Sequence, residues 1–415
     1  MGRFFSDAVE QALDLIYYHI QAGSGAEGFK LLSEAAKAGD GDAEYFLSRC
    51  FSGSSYVWRY HGFPEDDDTV SELIHRAIAH GSAAAVLGAM RCGELTPSAK
   101  KTMPFSSLKE AWEVVYKKAE GGEPFCQYMI GNTYFWGDTL EIDGFDPDQY
   151  PSQEAVARHL RDEFLKALPW FERAFDNGLD LAGNNINNYY RDGRESLGLP
   201  AQPDKIADTL RRGAEHGYPN WMTDYGSKLL EDPNRQAEGL EWAKRAAEKG
   251  QLDAWIDIGD AYANGKSVPV DMPYALQCYE KVLARQDYPY GFMRVGKLCY
   301  FGNGVPQDYA RAVQCFERSR ALGNDWANAY LAVCYLCGYG CQRDPARAKS
   351  LVEEVKWTSP EKNFVLGVLY AQGLGGAPQD IAKGVAFLQK AGDYRPAKEE
   401  LMHYKKGFFG KWKRR

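Results

Sequence analysis

The sequence contains no apolar stretch approaching the ~18 residues that a membrane helix needs. Its opening segment places Asp7, Glu10 and Asp14 where an export signal would keep an apolar core, so no such signal is expected and a cytoplasmic setting is. A basic excess is also missing. The net charge is −8 and the pI is near 5.6, which argues against a general nucleic-acid binder, since that class neutralises phosphates. Nine cysteines form an odd and uneven set, unlike a secreted disulfide framework, and reduced thiols are expected. The phosphate loop GxxxxGK[ST], the zinc motif HExxH and the nucleophile elbow GxSxG are all absent. Seven histidines are scattered: His19, His61, His75, His80, His159, His216 and His403. No catalytic residue, cofactor or metal is therefore expected, and the chain is read as not an enzyme.

One cysteine cluster needs separate weighing. Cys334-x2-Cys337 has a metal-ligand spacing and Cys341 lies close, but a fourth ligand is not evident nearby. Ordinary reduced thiols, a metal site and a redox pair all stay open, with the first favoured. Gly2 to Ser6 fits the loose N-myristoylation pattern, which is short enough to arise by chance.

What is present is a folded composition, 45% hydrophobic and 26% charged, with 26 tyrosines. It is also periodic. Asp271, Asp308, Asp344 and Asp380 are spaced by 37, 36 and 36 residues. Each follows a tyrosine and a glycine: Tyr262 and Gly265, Tyr300 and Gly304, Tyr335 and Gly340, Tyr370 and Gly375. Four residues after each Asp stands Ala275, Ala312, Ala348 or Gly384. A small residue recurs further back at Ser48, Gly88, Gly131, Gly226, Gly259, Gly296, Ala332 and Gly367, with Asn187 in the fourth place. Glycines at 39, 81, 122, 178, 217, 250, 323 and 392 suit helix ends. Such a period signals stacked helical hairpins whose apolar faces are buried only by neighbours. About nine units are expected.

The string from Leu298 to Phe316, LCYFGNGVPQDYARAVQCF, resembles a Sel1-like repeat, as does Leu366 to Asp380. The resemblance is strong over 235–393 and in register over 26–234. It implies an all-α fold: a right-handed superhelical solenoid with terminal capping helices, related to tetratricopeptide arrays. The expected division is a capping helix over 1–25, the solenoid over 26–393, and a capping helix with a basic aromatic tail over 394–415. An acidic insertion at about 138–162 departs from the pattern and carries Asp138, Glu141, Asp143, Asp146 and Asp148. It is read as a solvated or partner-contacting loop, since calcium would need an EF-hand ladder that is missing. The tail, with Lys411 and Lys413, could touch an anionic membrane or an acidic partner, but is expected to be a solvated end.

The resemblance also implies that residues two before and one after each small slot look into a concave groove. The end units give Phe46 and Arg49, Val86 and Ala89, Met129 and Asn132, and Val365 and Val368, mostly apolar. The middle is polar and supplies the candidate site: Asn185, Asn188, Asp224, Asp257, Asp260, Arg294, Lys297 and Tyr330, with aromatic walls from Trp221, Trp255 and Phe292. Acidic units are expected to adjoin a basic one along that line. The resulting expectation is a monomeric, non-catalytic scaffold or adaptor holding a peptide segment or loop of another protein. A regulatory protein binding cell-wall sugar or another small ligand is the first alternative, and an RNA-binding helical repeat the second.

Overall fold

Residues 4–18, 23–52, 61–192, 197–284, 287–407 and 410–415 are described by the computed structural model. Gly2 of the lipidation pattern, His19, and Phe408 and Phe409 of the tail lie outside them. The chain divides into two compact units, Met1–Tyr225 with Glu248–Gly250, and Gly226–Ala247 with Gln251–Arg415. Both are built from antiparallel helix pairs.

The second unit shows the construction best. Its pairs are Ala254–Asn264 with Met272–Leu283, Pro289–Phe301 with Tyr309–Ala321, Ala327–Cys337 with Pro345–Glu354, and Pro360–Gln372 with Ile381–Lys390. The periodic aspartates are the helix N-caps. The carboxylates of Asp271, Asp308, Asp344 and Asp380 accept from the backbone N–H of Tyr274, Arg311, Arg347 and Lys383. This satisfies donors that the first helical turn leaves unpaired. Each Asp N–H in turn donates to a carbonyl at the end of the first helix, as Asp308 does to Cys299 at 2.9 Å and Asp380 to Tyr370 at 2.8 Å. One residue type therefore closes the loop and starts the second helix.

The small slot lets the two helices meet. A side chain built on Gly296 would lie 2.6 Å from the Phe316 ring, and one on Gly367 would lie 2.6 Å from Leu388. Gly131 faces Phe171 in the same way in the first unit. The large partner stands eight residues after the cap Asp, at Tyr279, Phe316, Val352 and Leu388, and all four are buried.

The ends carry their own elements. The first unit opens with the helix Asp7–Leu13, which continues as one π-helical turn, Asp14–Tyr18. The acidic insertion folds as the short helix Asp138–Ile142, a 3-10 turn Pro147–Gln149 and the helix Gln153–Leu165. At the far end, Arg395–Leu401 is helical, and the basic tail folds back as a hairpin pairing Tyr404–Lys406 with Trp412–Arg414. Tyr404 is buried there and donates to Glu400 at 2.7 Å. Tyr404 is buried and Trp412 half-buried, while Lys405, Lys406, Lys413 and Arg414 stay in water.

Candidate binding surfaces

The polar residues proposed for the groove fall in both units. In the first unit Asn185 donates to Asn132 at 2.6 Å, and Asn188 accepts from Arg191 at 2.6 Å. Asp224 is exposed. Trp221 is not a groove wall: it is 3% exposed, and its indole lies directly over Gly183 and Gly213. Those two glycines admit a ring at a position that sequence spacing alone places on the surface.

In the second unit the acidic and basic positions meet each other. Arg294 forks onto Asp260, with Nε to Oδ1 at 2.7 Å and Nη2 to Oδ2 at 2.5 Å, and the Tyr279 hydroxyl donates to the same Oδ1 at 2.7 Å. The expected charge step along the first helices is thus partly neutralised within the chain. Asp257 accepts from the Ser227 hydroxyl. Lys297 stays exposed, 5.8 Å from the Tyr330 ring, and Lys281 sits 3.5 Å over Trp255. Phe292 is half-buried.

Burial pushes the Asp257 carboxyl up to about 6. The Ser227 hydroxyl opposes the shift, the Asp260 carboxylate adds to it, Arg294 lowers it and Asp253 raises it. A carboxyl raised by folding binds its proton more tightly in the folded state. Its contribution is therefore fully present below the ordinary value of 3.8 and is lost as pH rises through about 6. Asp257→Asn removes that loss, so its melting temperature relative to the wild type should climb between pH 4 and pH 7. A difference that stays flat over that range would mean Asp257 titrates like an exposed aspartate.

Sequence spacing did not assemble two concavities. One, of about 600 Å³ in the second unit, is lined by Asp260, Met293, Arg294, Lys297, Tyr290, Phe301 and Trp326 among others. Tyr290, Phe301 and Trp326 are large apolar side chains left exposed, Trp326 at 59% and stacked on Trp357 at 4.6 Å. They sit at the helix ends, away from the slot positions, so the slot rule passes over them. The other, of about 300 Å³ in the first unit, surrounds Arg49, with Tyr45, Tyr128, Met129, Asn132 and Trp136 in its lining.

The acidic insertion finds its counter-charges within its own unit. Asp138 pairs with Arg91, Asp143 with Lys109 at 2.7 Å and Glu141 with Lys100 at 3.6 Å. Phe145 stacks on His159 at 5.3 Å. The cysteine cluster is packed: Cys334 is buried, and burial pushes the Cys337 thiol up to about 11. Among the described residues no group of three or more His, Cys, Asp or Glu is placed to hold a metal ion, and no helix is long and apolar enough to cross a membrane.

A model described as Sel1 repeat matches residues 24–40, 221–251, 256–282, 293–324, 327–353 and 363–393. No curated protein matches the chain. Among solved structures, a protective antigen of uropathogenic Escherichia coli displaying an SLR fold is 18% identical, over 90% of this chain and 89% of that one, at a TM-score of 0.43. A Sel1 repeat protein from Oxalobacter formigenes is 22% identical over 56% of this chain and 98% of its own, at a TM-score of 0.41. Yeast Tom70 is 13% identical over 88% and 74%, at a TM-score of 0.30. Six stretches of this chain are thus Sel1 repeats, and four of them coincide with the capped, slot-packed helix pairs of the second unit.

Proposed function

We propose that the chain is a non-catalytic scaffold, acting as a cytoplasmic monomer, whose right-handed array of repeats holds a peptide segment or loop of another protein. The observation that carries this reading is the exposed set Tyr290, Phe301 and Trp326 around the concavity of the second unit, with the Lys297 amine beside it. Exposed aromatics bordering a polar groove are the anchors that protein interfaces use. Asp260 and Arg294 satisfy each other, so they shape the floor and carry little net charge to a ligand. The bound segment offers apolar side chains to the aromatics and a carboxylate to Lys297.

The test starts with affinity purification from the native organism and mass spectrometry. The most abundant stoichiometric partner is then measured against variants. Phe301→Ala with Trp326→Ala should weaken binding at least ~30-fold, since central aromatic anchors typically contribute ~2 kcal/mol or more. Lys297→Glu should weaken it further in low salt, while Lys411→Ala with Lys413→Ala should change little. Normal binding by the aromatic variant with loss in the tail variant would move recognition to the hairpin. A nucleic acid bound with steep salt dependence in place of a protein would favour the RNA reading.

A further inference from the structure

We propose that the concavity around Arg49 in the first unit is a receptor for one compact oxyanion, a carboxylate or a phosphate, carried on a small apolar body. This site is separate from the groove of the second unit and goes beyond the scaffold reading.

Several arginines of the chain meet carboxylates directly. Arg76 meets Glu44 at 2.6 Å, Arg212 meets Glu172 at 2.6 Å, Arg294 meets Asp260 at 2.5 Å, and Arg91 pairs with Asp138. Arg49 differs. Its Nε–H donates to the Tyr17 hydroxyl at 3.1 Å, and its guanidinium lies 5.1 Å over the Phe125 ring. Among the described residues, no carboxylate lies within ion-pair distance of it. The tyrosines cannot supply the missing charge, because burial pushes both Tyr17 and Tyr45 further above the range in which a phenol ionises. A half-buried cation facing only neutral oxygens and a ring has not recovered all of its lost hydration.

The guanidinium opens onto a cavity rather than onto packed core. That cavity, of about 300 Å³, is at the small end of ligand pockets. Its lining divides by chemistry. Near Arg49 stand the hydroxyl residues Tyr45 and Tyr128, and Asn132, whose oxygen is taken by Asn185, leaving its N–H groups to donate. Met129 and Trp136 add apolar lining suited to a short hydrocarbon. Arg91 and Asp138 both line the cavity and neutralise each other, and Arg91 lies 5.2 Å over Trp136. A planar guanidinium that meets only the Tyr17 and Tyr45 hydroxyls matches the paired oxygens of a carboxylate or phosphate.

The probes are inorganic phosphate, acetate and hexanoate at constant ionic strength, read by calorimetric titration and by melting temperature. The wild type should bind at least one of them saturably, with a rising melting temperature, and phosphate and hexanoate should compete where both bind. Preference for hexanoate over acetate and phosphate assigns a carboxylate on an apolar body, and preference for phosphate assigns a phosphate. Arg49→Gln should lose the response while the far-ultraviolet circular dichroism stays that of the wild type. If that variant does not fold, Arg49→Lys decides, because it keeps the charge and loses the fork. Binding weakened ~10-fold or more supports the site. No saturable response in the wild type, or an unchanged one in either Arg49 variant, overturns it.

Discussion

Replacing Gly340 by alanine should cost roughly 3 kcal/mol, well beyond the same change at Gly323. Both glycines hold a positive φ, +67° and +86°, so both substitutions incur the left-handed penalty of ~1–2 kcal/mol. Their surroundings differ. Around Gly323 nothing lies within 4 Å of an added Cβ, whereas at Gly340 that atom would fall against the Tyr309 carbonyl and 2.5 Å from the Ala310 nitrogen. Those are backbone atoms in the first turn of the preceding pair's second helix, and they cannot rotate away. Gly375 meets the Pro345 carbonyl in the same way, and Gly304 meets the Met272 side chain at the corresponding place, so this is how one repeat seats on the last. Urea unfolding of both variants measures the difference. Equal losses would show that the loop does not bear on the neighbouring helix.

Gly296→Leu should destabilise by at least ~3 kcal/mol, with Gly296→Ala intermediate. Even the first added carbon would lie 2.6 and 2.7 Å from the Phe316 ring, which is fully buried and has no free space to enter. Overpacking of this kind usually costs ~1–3 kcal/mol, and the rest of a leucine must also displace the helix. The double variant Gly296→Leu with Phe316→Ala tests the cause, since removing the ring opens room opposite the new side chain. It should be more stable than the sum of the two single losses predicts. Strict additivity would mean that the slot and the ring do not oppose each other.

These two effects lie on positions that recur in the sequence, and the recurrence has a local cause. A cap carboxylate reaches the N–H three residues on, and a helix end turns left-handed within one residue. The slot and its large partner sit on helices joined by a single loop. Asp308, Gly302, Gly296 and Phe316 all act within about one repeat, so the period displays them. The candidate surface was less legible. Asp260 and Arg294 were visible as groove positions of opposite charge, but their pairing was not, because spacing does not report how far a guanidinium reaches. Trp221 looked like a wall and is core, since only the packing of Gly183 and Gly213 around it reveals the space it fills.

The sequence by itself determined the helix pairs, their caps and the close approach inside each pair. Those depend on backbone hydrogen bonds and side-chain size over short separations, which every repeat must satisfy again. Tertiary structure alone decided which charges cancel and which remain. The insertion's carboxylates meet Arg91, Lys100 and Lys109, the basic tail closes into a hairpin, and Arg49 is left with tyrosines and a cavity. Long side chains from different repeats settle these matters by reach and burial, and no period in the chain encodes either.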